Sequence, residues 1–374
     1  MRKIFLAVLF AAATSLAAGA AEPFTVTCGP WIQNVTEDSF TVLWTTAEST
    51  FSWIEADGKS WYETVTGRRT YGKFHSVTVS GLEKGKSYSY SIRGKEVLDD
   101  SDAYHTEYGP EGYAGTPHSV KTFDYSAPSC RFSVVNDMHF DADKYKILMD
   151  GADRDKMDFI ALNGDIVSYS NSLDTLLKYT FDPISDLCGE FPAVFARGNH
   201  ETRGSQWHLL PKAFPTPTGE FYYFFRQGPV AFLVLDAGED KKDSDKEYSG
   251  QADFDSYREK ELEWLSGVVK NPLFADAPQK ICLMHIPALD APDAWYSQHW
   301  VAQNFTPVLN AAGVDLMISA HHHAYIVAEP GIYGNDFPIV VNSENDRMDV
   351  EVTGNRISLK VYGVGGNLLH SLEY

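Results

Sequence analysis

The chain has 374 residues, 44% of them hydrophobic, which is enough apolar material for two packed domains. It carries 51 Asp and Glu against 31 Lys and Arg, a formal charge of −20. With no basic stripe anywhere, nucleic acid is excluded as a structural partner, and any anionic ligand must be drawn in locally against the bulk charge.

The first twenty residues have the pattern of an export signal. Arg2 and Lys3 form a positive start, residues 4–16 are apolar, and Ala18-Gly19-Ala20 fits a small-residue cleavage site. The apolar run is short for a membrane span, and no basic stop-transfer cluster follows it. The mature chain is therefore expected to begin near Ala21, to be periplasmic or extracellular, and to lack a stable membrane anchor. Cys28, Cys130, Cys188 and Cys282 stand isolated, with no CxxC pair. Cys282 lies in an apolar run and reads as a buried thiol, while a Cys28–Cys130 bridge stays open for an exported protein. No feature sets an oligomeric state.

Residues 21–125 read as an all-β unit. Alternation puts Phe40, Val42 and Trp44 on one face of a strand, and residues 74–79 and 88–92 alternate likewise. A turn signal at 81–85 separates these last two. The acidic, Tyr- and Gly-rich stretch 94–117 has no clean period and is expected to be a long loop before a last strand at 118–123. Short strands at this spacing argue for a sandwich. Trp44 and the segment GLEKGKSYSY resemble a fibronectin type III-like module. The opening GPWIQNVTEDSFTVLWTT is similar to the N-terminal domain of purple acid phosphatases.

From residue 126 to 374, apolar runs alternate with helical periods. The runs at 130–136, 159–162, 193–196, 230–235, 280–284 and 314–319 suit strands buried on both faces. A capping box at Ser256–Glu259 predicts a helix carrying Leu262, Leu265 and Val269, closed by Pro272. A second helix is expected over 304–312, stopped by Gly313 and either started or kinked at Pro307. Four short strands are expected after residue 339. The acidic stretch 239–246 follows no ligand spacing and reads as a solvated loop.

Five short patches place metal-type side chains just behind those apolar runs. They are Asp137-Met-His139, Asn163-Gly164-Asp165, Gly198-Asn199-His200-Glu201, His285 and His321-His322-His323. In an open α/β sheet, such positions gather in the crevice beyond the strand ends. Imidazole and carboxylate donors together suit divalent Zn, Mn, Fe or Ni. Two such ions about 3.5–4 Å apart can clamp a phosphoryl group.

The order DxH, GD, GNH followed by an acid, H and GHxH resembles the calcineurin-like metallophosphoesterase family. The resemblance implies a four-layer α/β fold with two sheets flanked by helices, behind the fibronectin III-like sandwich. It also implies two divalent metal ions. Asp137, His139 and His323 are expected on the first ion, Asn199, His285 and His321 on the second, and Asp165 bridging both. His322 falls on the variable position, and Ala320 stands where glycine is usual. His200 is expected to be catalytic as a general acid, with Asn199, His200 and Arg203 meeting the substrate. His75, His105, His118 and His370 are expected to be structural.

The implied activity is hydrolysis of a small-molecule phosphate ester, monoesters first, by a metal-held hydroxide. A phosphodiesterase or nucleotide hydrolase with the same site is one alternative, and an adhesion module with a vestigial hydrolase domain another. The chain departs from purple acid phosphatases in one respect. Their ferric ion takes a tyrosine from GDxxY, but here Ser168 occupies that position and Tyr169 lies one residue late. In an extended segment, one residue turns the side chain to the other face, so a divalent pair is expected.

Overall fold

A computed structural model describes residues 24–374, and the expected export signal lies outside them. In the N-terminal unit, one 18-residue strand, Ser39–Ala56, organises the rest. Its first half pairs with Val26–Gln33 and Gly72–Ser80, and its second half with Lys59–Tyr62 and Ser87–Asp99. Phe40, Val42 and Trp44 point into the core with Val77, Val79, Tyr90 and Ile92, as the alternation requires. The stretch expected as a loop from residue 94 is largely strand instead. Gly112–Lys121 pairs back on Ser87–Asp99, with Arg93 opposite Tyr113. The Arg93 guanidinium lies 3.9 Å from the Tyr113 ring centroid and pairs with Glu55 and Glu111. Such cross-strand contacts hold a ladder that apolar alternation does not announce.

The second unit contains two six-stranded sheets. In the first, Ala193–Ala196, Phe159–Asn163 and Ser129–Val135 run parallel, followed by antiparallel Asp346–Thr353, Arg356–Gly363 and Leu368–Glu373. In the second, Val230–Leu235, Gln279–Met284, Leu316–Ser319 and Ile339–Val341 run parallel between antiparallel edges. Alternate residues sort the core. Phe132, Val134, Phe159 and Ala161 face the other sheet, while Val135, Ile160 and Leu162 face the helices Ala142–Asp150 and Leu173–Phe181. The second sheet's outer face carries the helices Phe254–Val268 and Tyr296–Ala312. The inner faces meet through Phe132, Phe159, Phe225 and Phe232, with ring centroids 4.7–5.4 Å apart. The expected four layers are therefore present. No helix among the described residues is long and apolar enough to cross a membrane.

The two units are joined by specific bonds. The Trp31 indole is fully buried, stacks on Phe181 at 4.6 Å, and donates to Ala213 O at 3.0 Å. Ile32 N–H donates to Cys188 O, Gln33 Nε2 to Ala193 O, and Tyr90 Oη to Gly189 O.

Two local expectations are corrected, and the open Cys28–Cys130 pairing is resolved. Ser256 is not a cap: the helix begins at Phe254, and its first N–H groups are bonded at a distance by both carboxylate oxygens of Asp243. The second helix starts at Tyr296, well before residue 304, and contains Pro307. At its start the Gln298 side-chain oxygen accepts the Trp295 N–H at 3.1 Å, a local bond that the apolar period does not reveal. All four cysteines are free thiols. Cys28 packs toward Leu177 under the outer helices while Cys130 lies between the sheets, so the two cannot meet.

His75 lies buried against Trp44, with Nε2 2.9 Å from Thr50 Oγ1. Burial lowers its pKa from 6.5 to about 4. The unfolded chain then binds a proton that the folded chain refuses. Stability is complete above about pH 6.5 and falls through pH 4, by about 3 kcal/mol in all. Urea unfolding of wild type and His75→Gln from pH 8 to 4 should give curves that converge at the acid end. A difference between them that is constant with pH would contradict this.

Candidate metal centre

Because the strands carrying the five patches run parallel within each sheet, the patches leave on one side. Asp137 follows Ser129–Val135, Asp165 follows Phe159–Asn163, and Asn199 follows Ala193–Ala196. His285 follows Gln279–Met284, and His321 follows Leu316–Ser319. The first two loops are zipped together. Asp137 N donates to Gly164 O and His139 N to Asp165 O, each at 3.0 Å. Asp137, His139, Phe140, Asp165, His321 and His323 are six of the ten described non-glycine residues with positive φ. Backbone strain concentrated this way is typical of functional loops. Gly164 has φ +82, and a Cβ there would strike the His285 ring. Ala320 is buried with no such angle, and its N–H donates to His285 O, so its methyl is accommodated.

Ligand atoms meet in three overlapping groups: Asp137, His139 and His323; His139, Asp165 and His200; and Asp165, His285 and His321. Within each group the atoms lie within 4.8 Å of one another. Asp165 joins the groups. Its Oδ1 accepts from His200 N at 2.9 Å. Its Oδ2 lies 3.1 Å from His285 Nε2 and 3.9 Å from both His139 Nε2 and His200 Nε2. Asn199 Oδ1 sits 3.1 Å from His321 Nδ1. His322 bonds Gln298 and stays out of the groups.

The donors are aimed by a second set of bonds. His285 Nδ1 faces Asn163 O at 2.8 Å, and His323 Nδ1 faces Glu344 at 2.9 Å. Asp137 Oδ2 accepts from Asn136 Nδ2 and His321 N, which leaves Oδ1 turned inward. Asp137 Oδ1 and His285 Nε2 are buried without a hydrogen-bond partner, although both lie at ion-pair distance from a neighbour, His323 for the first and Asp165 for the second. Buried carboxylate and imidazole atoms crowded together without hydrogen-bond partners fit a divalent cation.

The electrostatics reflect the crowding. Burial opposes charge on His285, but Asp165 outweighs it and raises the pKa to about 10. Asp165 is likewise held below its usual range: its burial is overcome by His285. Burial, reinforced by His285, lowers His321 to about 3.

Glu201 commits both carboxylate oxygens to the backbone. Its two oxygens accept the backbone N–H groups of Asp165, Ile166, Val167 and Gly198, at 2.8–3.3 Å. Burial and the adjacent Asp165 push its pKa up to about 7. Four inward N–H donors favour the ionised form. His200 instead meets Arg203, whose Nη1 lies 3.0 Å from Nε2. His200 Nδ1 lies 3.0 Å from Ser168 O, which can only accept, so Nδ1 carries the hydrogen and Nε2 accepts from Arg203. Arg203 in turn is forked onto Glu239, at 2.8 and 2.9 Å.

Only the start of 239–246 departs from the solvated reading, since Lys242, Ser244 and Lys246 are exposed. Glu239 and Asp240 are buried, and Glu239 orders the arginine beside His200. The available signal was position: the acids follow Val230–Leu235 as the other patches follow their strands. His299 pairs with Asp290 and Tyr296 bonds Asp255, so neither reaches the centre. Ser168 Oγ lies 3.4 Å from His139 Nδ1. Tyr169 is 47% exposed and packs edge-on against Phe140.

Two sheets flanked by helices, with His and Asp donors gathered beyond the strand ends, have the architecture of the metallophosphoesterase fold. A family model described as calcineurin-like phosphoesterase matches residues 130–325, just over half of the 374, and the chain belongs to that family. Purple acid phosphatase 18 of Arabidopsis thaliana is 22% identical over 315 residues, 79% of this chain and 62% of the relative. The chain thus spans less than two-thirds of that relative's length. The structure of purple acid phosphatase PPD1 from yellow lupin seeds superposes with a TM-score of 0.66 at 13% identity. That match covers 94% of this chain and 75% of that one, which extends the likeness of fold through the N-terminal sandwich. Membership of the family implies divalent metal ions, and the His and Asp groups supply donors for them.

Glu201→Gln would turn an amide NH₂ toward backbone N–H groups. It should cost about 1–3 kcal/mol of stability, since buried donors lose their acceptor. Chemical denaturation measures this, and an unchanged unfolding midpoint would show that Glu201 does not anchor the Asp165 loop.

Proposed function

We propose that the protein is an exported hydrolase of phosphate esters, monoesters first, working with two divalent ions. The observation that supports this is the trio of ligand groups sharing Asp165, with His200 and Arg203 beside it. Asp137, His139 and His323 would hold one ion, Asn199, His285 and His321 the other, and Asp165 both. When bound, the ions would supply positive charge for the phosphoryl oxygens and lower the pKa of a coordinated water.

The chain's own residues do the rest. Asn199 and His200 orient the phosphoryl group from the same turn. Arg203 offers guanidinium hydrogens to its oxygens, with Glu239 fixing the fork. His200 keeps its Nδ1 hydrogen on Ser168 O, so Nε2 is the atom that takes up a proton and delivers it to the leaving alkoxide. The phenolate charge transfer of purple enzymes has no counterpart in this reading, because Ser168 stands near His139 and Tyr169 turns toward Phe140.

Elemental analysis and turnover of variants test the assignment. Asp165→Asn should lose both ions together, and His139→Ala mainly one. His200→Ala should keep metal yet lose turnover on the order of a hundredfold to ten-thousandfold. Two ions and normal activity in Asp165→Asn would overturn the bridging role.

Export is read from the basic start, the short apolar run and Ala18-Gly19-Ala20. Mass spectrometry of protein recovered outside the cytoplasm should give an N-terminus near Ala21. A retained Met1 in that material would refute cleavage.

A further inference from the structure

Arg203 also lines a cavity of about 470 Å³, and His200 does not. That volume is within the range of roughly 300–1,000 Å³ usual for small-molecule sites. Thr202, Arg203 and Glu239 line it, so the cavity and the metal centre share one wall. Five aromatic residues line the cavity among polar and small ones: Phe221 is buried, Tyr248, Phe254 and Tyr257 are partly buried, and Trp207 is 45% exposed. The cations in the lining are already matched. Arg197 pairs with Asp236 at 2.6 Å and Arg203 with Glu239 at 2.8 Å. Glu220 and Asp253 also line the cavity and make no ion pair among the described residues. A second anionic group would therefore meet negative charge, while a flat uncharged ring would meet apolar faces.

We propose that this cavity receives the alcohol portion of the ester, and that this portion is an uncharged aromatic group. The preferred substrate is then a monoester of an aryl-bearing alcohol rather than a nucleotide or a sugar bisphosphate. This rests on the hydrolase reading. Arg203 stands at the junction, with Nη1 toward His200 and Nε and Nη2 on Glu239. The phosphoryl group would lie on one side of it and the ring on the other.

Benzyl and butyl phosphate release alkoxides of similar basicity, so the ratio of their kcat/KM values reads the pocket and not the leaving group. With the metal-loaded full chain, benzyl phosphate should be favoured roughly tenfold or more. Trp207→Ala and Phe254→Ala should each bring the ratio toward one. Trp207 is 45% exposed, so its replacement spares the core. A binding readout stands beside the rates: calorimetric Kd values for benzylphosphonate and butylphosphonate should show the same preference and the same loss. Placing a carboxylate on the benzyl ring should weaken both readouts. Turnover of both esters with a ratio near one, or a preference that Trp207→Ala and Phe254→Ala leave intact, would overturn the pocket assignment alone. No turnover of benzyl, butyl or 4-nitrophenyl phosphate would overturn the hydrolase reading, and the pocket assignment with it.

Discussion

The centre depends on one buried carboxylate. Asp165 is almost wholly out of water, and a lone charge there would be expensive. It is tolerated because imidazoles from His139, His200 and His285 face its Oδ2, while the His200 N–H holds Oδ1. The side chain cannot choose that position itself. Glu201 fixes it by binding the N–H groups of residues 165, 166 and 167, together with that of Gly198 from the next patch. One carboxylate therefore places the other, and each ties two loops that are remote in sequence.

Strain and order are linked here. Positive φ at Asp137, His139, Asp165, His321 and His323 turns each donor into the crevice instead of along the strand. Each such residue costs of order 1–3 kcal/mol. The cost is offset by the interlocked backbone bonds between the loops, such as Asp137 N to Gly164 O, and by four layers of packed sheet and helix beneath. A scaffold this rigid keeps like charges and unpartnered nitrogens close together, which a flexible loop would relieve by opening.

The buried strands were legible in the sequence, since long apolar runs with abrupt polar ends have few other structures to join. The five patches were legible because their residue types are costly to bury without a purpose. What stayed hidden were contacts between distant segments. Nothing local marks Glu239 as the partner of Arg203, or Glu201 as a backbone anchor. The helix at 254 was misjudged for the same reason: its N–H groups are capped by Asp243, eleven residues before the first of them. The ladder at 112–121 carries an arginine laid over a tyrosine, a pairing that no period reveals. Single-strand patterns report burial, whereas these features depend on which surfaces finally meet.

The way Val26–Gln33 settles beside Ala193–Ala196 has a bearing on solubility. Ala193–Ala196 is the outermost strand of its sheet, fully buried and apolar. Open outer strands recruit other chains, and proteins blunt them with charge, proline or cover. This one has no charge of its own. Ile32 bridges to Pro192, and the Gln33 amide takes up the Ala193 carbonyl. The sandwich thus covers the edge of the sheet that carries Asp137, Asp165 and Asn199, along which a second copy of the chain could otherwise pair.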